Sequence, residues 1–385
     1  MNFSANILTI LVFDGLGNGP EDDASEYGDA NANTILNLTG NTASLIPNMM
    51  DLGILNGRGN RILNLSHAAY STKAHHRSPG KGTTAGHWEM IGLVRRQDFR
   101  AVHSVFPDIL TAVVEEAAGV RPLHCAYAPS GQQLIERLGD ESIECKRPII
   151  YSSNDAVIQI AADELTYGIS RLRECGGAIA QSLQEEHGIG RVITRPFIKV
   201  EDQFVRTANR VDFHRQPPSP NLLEQLRLAG IPIRLHGKAN EIFGGSLGTN
   251  QTAEYPTPNV LPSIFASEPD CRRMNFCNVG HLDTFLHEYK NYEFRAELQK
   301  YDAALQLAIS KMGPLDWLIV TADHGCDNTV SATDNTRETC PLIVVYPRDY
   351  DLRIKDPFYL SDIPRLVRDA FTLNVDAACW RIVER

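Results

Sequence analysis

The run Trp317-Leu318-Ile319-Val320 has the β-branched and aromatic character of a buried strand, and it ends on Thr321-Ala322-Asp323-His324-Gly325. A carboxylate and an imidazole therefore stand side by side where a strand stops. The run Ile7 to Phe13 repeats the layout, ending in Asp14 and the glycine turn Gly15-Leu16-Gly17-Asn18-Gly19. In an α/β sheet, binding groups collect outside the carboxyl ends of the strands. Asp-His supplies an oxygen and a nitrogen ligand for a divalent metal. Taken alone, the pair serves equally well to cap a turn, with Asp323 on backbone N–H groups. The glycine turn taken alone reads as an ordinary tight turn.

A chain of 385 residues has room for a large core and for two domains. Hydrophobic residues at 43% and charged residues at 22% place it among ordinary globular proteins rather than disordered ones. The net charge of −10 argues against nucleic acid or an anionic membrane as partner. It leaves room for a phosphorylated substrate, which a few local arginines or metals can hold. No apolar run approaches the roughly 18 residues of a membrane span. The N-terminus has no basic region, and Asp14 interrupts its first apolar run, so no secretory signal is expected. The eight cysteines form no CxxC pair and read as reduced thiols of a cytoplasmic protein, whose oligomeric state the sequence leaves open.

Further along, Gly80-Lys81-Gly82-Thr83-Thr84-Ala85-Gly86-His87-Trp88 is a Gly/Thr-rich loop running into a helix. Such a loop exposes a hydroxyl near a helix N-terminus, where backbone N–H groups favour negative charge. The plainer reading makes Thr83 or Thr84 the helix cap. Residues 98–216 change pattern and read as a smaller α/β domain inserted into a core of 1–97 and 217–385, with Pro217-Pro218 as hinge. Arg195, Arg206 and Arg210 within it suit phosphate oxygens, although a single arginine is more often a solvated surface residue. Beyond the hinge, a helix over Asn221–Ala229 and strands over Pro232–Leu235, Met274–Val279 and Leu342–Tyr346 are expected, with an amphipathic helix over Tyr301–Lys311. Asp283 and His287 are four apart and share a helical face, as metal ligands or as solvated side chains.

Three strand ends thus offer Asp14, Asp283, His287, Asp323 and His324, with a Gly/Thr loop as a possible nucleophile. Two oxygen- and nitrogen-rich sites beside a hydroxyl describe two-metal phosphoryl transfer. At this point the sequence resembles the phosphopentomutase family, of the alkaline phosphatase superfamily and related to the cofactor-independent phosphoglycerate mutases. The motifs are VFDGLGNG at 12–19, GKGTTAGHWEMIGL at 80–93, YSSNDAVIQIAADE at 151–164, RPFI with FVRTANRVDF at 195–213, GKANEIFGG at 237–245 and TADHGCDNTVSATDNTRE at 321–338.

The resemblance implies an α/β core like that of alkaline phosphatase, a central mostly parallel sheet flanked by helices, with the inserted piece as a cap. It implies that Thr83 carries the phosphoryl group and that Asp14, Asp323 and His324 hold the nearer metal. Asp283 and His287 match two ligands of the other, with manganese as the ion. Asp155 matches a sugar contact, and Arg195, Arg206, Arg210 and Lys238 match substrate-binding residues. The implied reaction interconverts ribose (or deoxyribose) 1-phosphate and 5-phosphate through a phosphothreonine, with a sugar bisphosphate as activator.

The chain departs from the family pattern at four points. Asn335 stands where a third imidazole of the second metal is usual, so Asn335, water or a neighbour such as His281 would complete that site. Gly82 replaces an Asp, Ala85 replaces a Thr, and the Asp283–His287 spacing is one residue shorter. A relative acting on another phosphorylated metabolite, as mutase or hydrolase, and a non-catalytic phosphosugar-binding protein are the other readings.

Overall fold

The structure is a computed structural model of the whole chain, and it describes residues 4–40, 44–55, 59–64, 66–96, 108–128, 130–152, 157–186, 189–243, 255–266, 271–330, 335–373 and 380–383. It divides into two compact units, Met1–Arg96 with Pro217–Glu384 and Gln97–Gln216.

The first unit is built on an eight-stranded sheet. Its centre is four parallel strands in the order Ile233–Gly237, Arg273–Val279, Ile7–Phe13 and Trp317–Thr321. Every residue of the last three is buried. Covered faces are why Ile7–Phe13 and Trp317–Thr321 read as near-continuous apolar runs rather than alternating ones, whereas Arg273–Val279 buries Arg273, Asn275 and Asn278 as well. Cys340–Pro347 runs antiparallel beside Trp317–Thr321 and pairs on its other side with His67–His75. The register matters more than the count. Gly237 pairs with Asn278, Asn278 with Val12, and Val12 with Thr321. One row therefore crosses all four parallel strands, and their carboxyl ends finish level.

Flanking helices follow the sequence locally. Asn221 caps Leu222–Leu228, its side chain accepting the Glu224 N–H. The helix expected from Tyr301 begins earlier and spans Asn291–Ser310. It buries Phe294, Leu298, Tyr301 and Leu305, a stripe spaced by three and four. Among the described residues no helix is long and apolar enough to cross a membrane.

The second unit has its own sheet, ordered Val211–His214, Arg191–Val200, Val157–Asp163, Ile149–Ser152 and His124–Tyr127, with Gln203–Arg206 paired to Arg191–Val200. The helix Ile169–Glu186 lays Leu172, Cys175, Ile179 and Leu183 against Ile150, Ile158, Ile160 and Val192. The helix Gly131–Cys145 places Leu134 and Ile135 with Ile149, Tyr151, Ala161 and Phe197 in a separate cluster.

Candidate active site

Each level strand end of the first unit hands over one or two polar groups. Gly237 is followed by Lys238, Phe13 by Asp14, and Thr321 by Asp323 and His324 after one residue. Val279 leads through Gly280 into the helix His281–His287, which carries Asp283 and His287. Asp14, Asp323 and His324 are wholly buried, and Asp283 nearly so. Gly15 makes the chain turn away at φ +77°, and its N–H donates to Asp323 Oδ1 at 3.2 Å. A Cβ there would come 3.1 Å from Cys326 Cβ and 3.2 Å from Asp283 Oδ1, so glycine lets these two side chains approach.

Asn278 lies in the shared register row. Its amide donates to Asp14 Oδ2 at 3.0 Å and sits 3.0 Å from His87 Nε2. His87 Nδ1 faces the Thr83 carbonyl at 2.9 Å and must donate to it, which leaves Nε2 as acceptor for Asn278. One asparagine thus ties the first strand's carboxylate to the helix that carries Thr83.

That helix is Thr83–Met90, and its cap is Gly82, with no side-chain capping bond. The plainer reading of Thr83 or Thr84 as a cap is therefore corrected. The Thr83 hydroxyl points elsewhere: Oγ1 lies 2.9 Å from His324 Nε2 and accepts from Lys238 Nζ at 3.3 Å. Lys238 Nζ also donates to Asp14 Oδ2 at 2.9 Å and stands 3.5 Å from Asp283 Oδ2. His324 Nε2 is 3.4 Å from Asp14 Oδ1 and 3.2 Å from Asp323 Oδ2.

The donor set fits divalent cations. Asp14 Oδ1, Asp283 Oδ1 and Asp323 Oδ2 are buried and accept no hydrogen bond. Buried carboxylate oxygens left so are costly unless a cation answers them. Asp14, Asp283 and His324 form one group with ligand atoms all within 4.8 Å of one another, and Asp283, His287 and Cys326 form a second by the same measure. Burial alone would push Asp323 up and His324 down, but their attraction reverses both, holding the carboxyl low and the imidazole high. Burial would likewise lower Lys238, and Asp14, Asp283 and Asp323 outweigh it and raise it. The upward shifts of His324 and Lys238 have the same cause, the negative charge gathered by Asp14, Asp283 and Asp323.

Asn335 donates to the Lys81 carbonyl at 2.9 Å and lies 3.3 Å from His324 Nε2. It therefore stands beside the first group of donors. His281 turns to Glu297 Oε1 at 3.5 Å and Tyr301 Oη at 3.4 Å, and it joins neither group. Cys326 joins the second group and was not singled out from sequence. A cysteine after ADHG reads as a core thiol, and only the fold brings it to Asp283.

The end of the 321–338 motif braces the loop before Thr83. Arg337 Nη1 donates to the carbonyls of Ser78 and Gly80 at 2.9 and 2.5 Å, and Nε donates to Asp23 Oδ1 at 2.9 Å. Glu338 accepts from Thr34 Oγ1 at 2.7 Å and Thr336 Oγ1 at 2.6 Å. Gly17 and Gly325 pack so closely on Glu338 that a Cβ on either would meet its carboxylate at 2.4 and 2.2 Å.

In the second unit, Arg195 Nε donates to Gln159 Oε1 at 3.1 Å and Arg206 Nη2 to Tyr151 Oη at 3.3 Å. Arg210 pairs with Asp212 through Nε and Nη2 at 2.5 and 2.6 Å. Burial first, then Arg210 and Arg206, pull Arg195 down to about 10, so it stays charged at neutral pH. Arg206 Nε is buried with no hydrogen-bond partner. Arg195, Arg206 and Arg210 all act on the Tyr151 hydroxyl and make a basic cluster, with Asp212 paired to Arg210. Asp155 lies outside the described residues.

The fold and the donor set define a metalloenzyme, and residues 6–374 match the family described as the metalloenzyme superfamily. A phosphopentomutase of Symbiobacterium thermophilum is 34% identical, over 88% of this chain and 87% of that protein. A phosphopentomutase of Syntrophotalea carbinolica is 34% identical, over 96% and 95%. A Leishmania mexicana phosphoglycerate mutase structure has a TM-score of 0.45 at 13% identity, covering 95% of each chain. The chain belongs to the phosphopentomutase family and is a phosphopentomutase-like metalloenzyme, an intramolecular phosphotransferase.

Proposed function

We propose that the protein interconverts ribose or deoxyribose 1-phosphate and 5-phosphate, with Thr83 Oγ1 as carrier of the phosphoryl group. The observation that supports this most is the Thr83 hydroxyl itself, released from capping and held between His324 and Lys238. Asp14, Asp323 and His324 would hold one divalent ion, with manganese proposed, and Asp283 and His287 would hold a second. Such ions, when bound, lower the pKa of a hydroxyl and neutralise charge on phosphoryl oxygens. Lys238 Nζ lies within reach of Thr83 Oγ1 and supplies a fixed positive charge for the phosphoryl oxygens. The N-terminal end of the Thr83–Met90 helix adds its backbone N–H groups.

The phosphothreonine would give its phosphoryl group to the free hydroxyl of the bound sugar phosphate, forming a bisphosphate. Thr83 would then take back the other phosphoryl group. A sugar bisphosphate would act as activator by priming Thr83. Thr83→Ala should lower ribose 1-phosphate isomerisation by about a thousandfold or more, since an acting nucleophile has no substitute. An unchanged turnover would sink the proposal.

The arginines of the second unit are proposed to bind the phosphate far from the reacting one, with Asp155 as a sugar contact. A lost charge-assisted hydrogen bond is worth about 1.5–3 kcal/mol, or roughly tenfold and more in binding. Arg195→Ala should therefore raise KM about tenfold while kcat changes less. A KM left at the wild-type value would remove Arg195 from the substrate site.

A further inference from the structure

We infer that Cys326 is a ligand of the second metal, so that Asp283, His287 and Cys326 form an oxygen–nitrogen–sulfur site selective for zinc or cobalt over manganese. The inference rests on the two-metal reading above and specifies one of its sites.

The three ligand atoms lie within 4.8 Å of one another. Cys326 and Asp283 are buried, and His287 is half-buried at the edge. Asp283 Oδ1 accepts no hydrogen bond, although His287 Nε2 comes to 3.2 Å. The backbone of Cys326 is fixed by its N–H donating to Thr34 Oγ1 at 2.9 Å. Gly15, having no Cβ, leaves room between Cys326 Cβ and Asp283 Oδ1. The amide nitrogen of Asn335 donates to the Lys81 carbonyl and lies 3.3 Å from His324 Nε2, which places this side chain beside the other group. His281 is turned to Glu297 and Tyr301. Among the described His, Cys, Asp and Glu side chains, Cys326 is the one grouped with Asp283 and His287, and His281 is not.

A thiolate changes which ion the site prefers. Sulfur and imidazole donors suit zinc, whereas manganese favours carboxylate, carbonyl and water. The other proposed site, Asp14, Asp323 and His324, has two carboxylates and one imidazole and keeps the harder set. Ligation uses the thiolate, and the thiol proton passes to water as the ion binds.

The test is X-ray absorption at the zinc edge on the full-length wild-type chain loaded with zinc, with metal content measured alongside. The expected result is two ions per chain and a sulfur scatterer at about 2.3 Å, one for every two zinc ions. In a cobalt titration, a thiolate-to-cobalt charge-transfer band should grow with one of the two equivalents. Cys326→Ser should abolish that band and weaken zinc binding at one site by at least about tenfold, the loss that follows even when a residue behind a ligand is removed. Two ions bound with no sulfur scatterer would overturn the assignment and leave the two-metal reading standing. Less than one ion bound would overturn both. The scattering measurement needs no variant, so a misfolded Cys326→Ser does not decide the outcome.

Discussion

Gly86 sits where two local rules disagree. It lies inside the Thr83–Met90 helix, where glycine costs about 1 kcal/mol relative to alanine, so propensity alone predicts that Gly86→Ala stabilises. The structure predicts the opposite. A Cβ there would stand 2.2 Å from the Asp323 carbonyl oxygen, and the strand end that carries Asp323 and His324 cannot move without displacing the donor set. Overpacking against backbone costs about 1–3 kcal/mol. Gly86→Ala is expected to lower the melting temperature by about 5 °C and to weaken metal binding. A variant that melts at or above wild type would show that the helix shifts freely against Asp323. The wider lesson concerns chemistry carried by single residues. Asp14, Asp323 and His324 were legible because buried strands announced their ends. Cys326 was not, because nothing in its sequence neighbours sets a thiol that stands beside Asp283 and His287 apart from a core one. Asn335 was legible as a departure, but its hydrogen bond to Lys81 depends on a loop path that sequence does not give.

The elements around the site differ in how openly they are written. Ile7–Phe13 and Trp317–Thr321 are apolar but for one buried threonine each, because both faces are covered. His67–His75 belongs to the same sheet but reads HAAYSTKAH, with partly exposed residues and a lysine, and it carries no strand signal. Pairing with Cys340–Pro347 makes it a strand, and that contact is long in sequence. The C-terminal end of this strand is held by a titratable clip. His75 Nδ1 lies 2.8 Å from Glu21 Oε2, and the His76 N–H donates to Glu21 Oε1 at 2.7 Å. The hydrogen bond to Glu21 raises the His75 pKa above 6.5. The folded state therefore holds this proton more tightly than the unfolded chain. The stabilisation is full below about 6.5 and is lost as pH rises through the folded value. Replacing His75 with Leu should remove about 1.5 kcal/mol at pH 6, the lower end for a charged hydrogen bond, and less as pH rises. Denaturant titrations at pH 6 and pH 9 measure it. An equal loss at both would mean that the clip works without its charge.

Across the molecule, charge is distributed against its average. The chain carries a net −10, yet the second unit gathers Arg195, Arg206 and Arg210, with Asp212 pairing one of them. An acidic average excludes little when a few residues set the local field. The centre of the parallel core was readable because Ile7–Phe13 and Trp317–Thr321 are near-continuous apolar runs. The level ending of four strands was not, because register follows from pairing partners and not from any one strand. That row gathers scattered Lys238, Asp14, Asp283, Asp323 and His324, and sets Lys238 and His324 against the Thr83 hydroxyl. The most direct test is to prime the protein with a labelled ribose bisphosphate, manganese or zinc present, and then add unlabelled ribose 1-phosphate. The account predicts label on the peptide bearing Thr83, its transfer to the sugar, and ribose 5-phosphate as product, with none of this in Thr83→Ala. Isomerisation without label on Thr83, or label released as inorganic phosphate with no isomerisation, would contradict it.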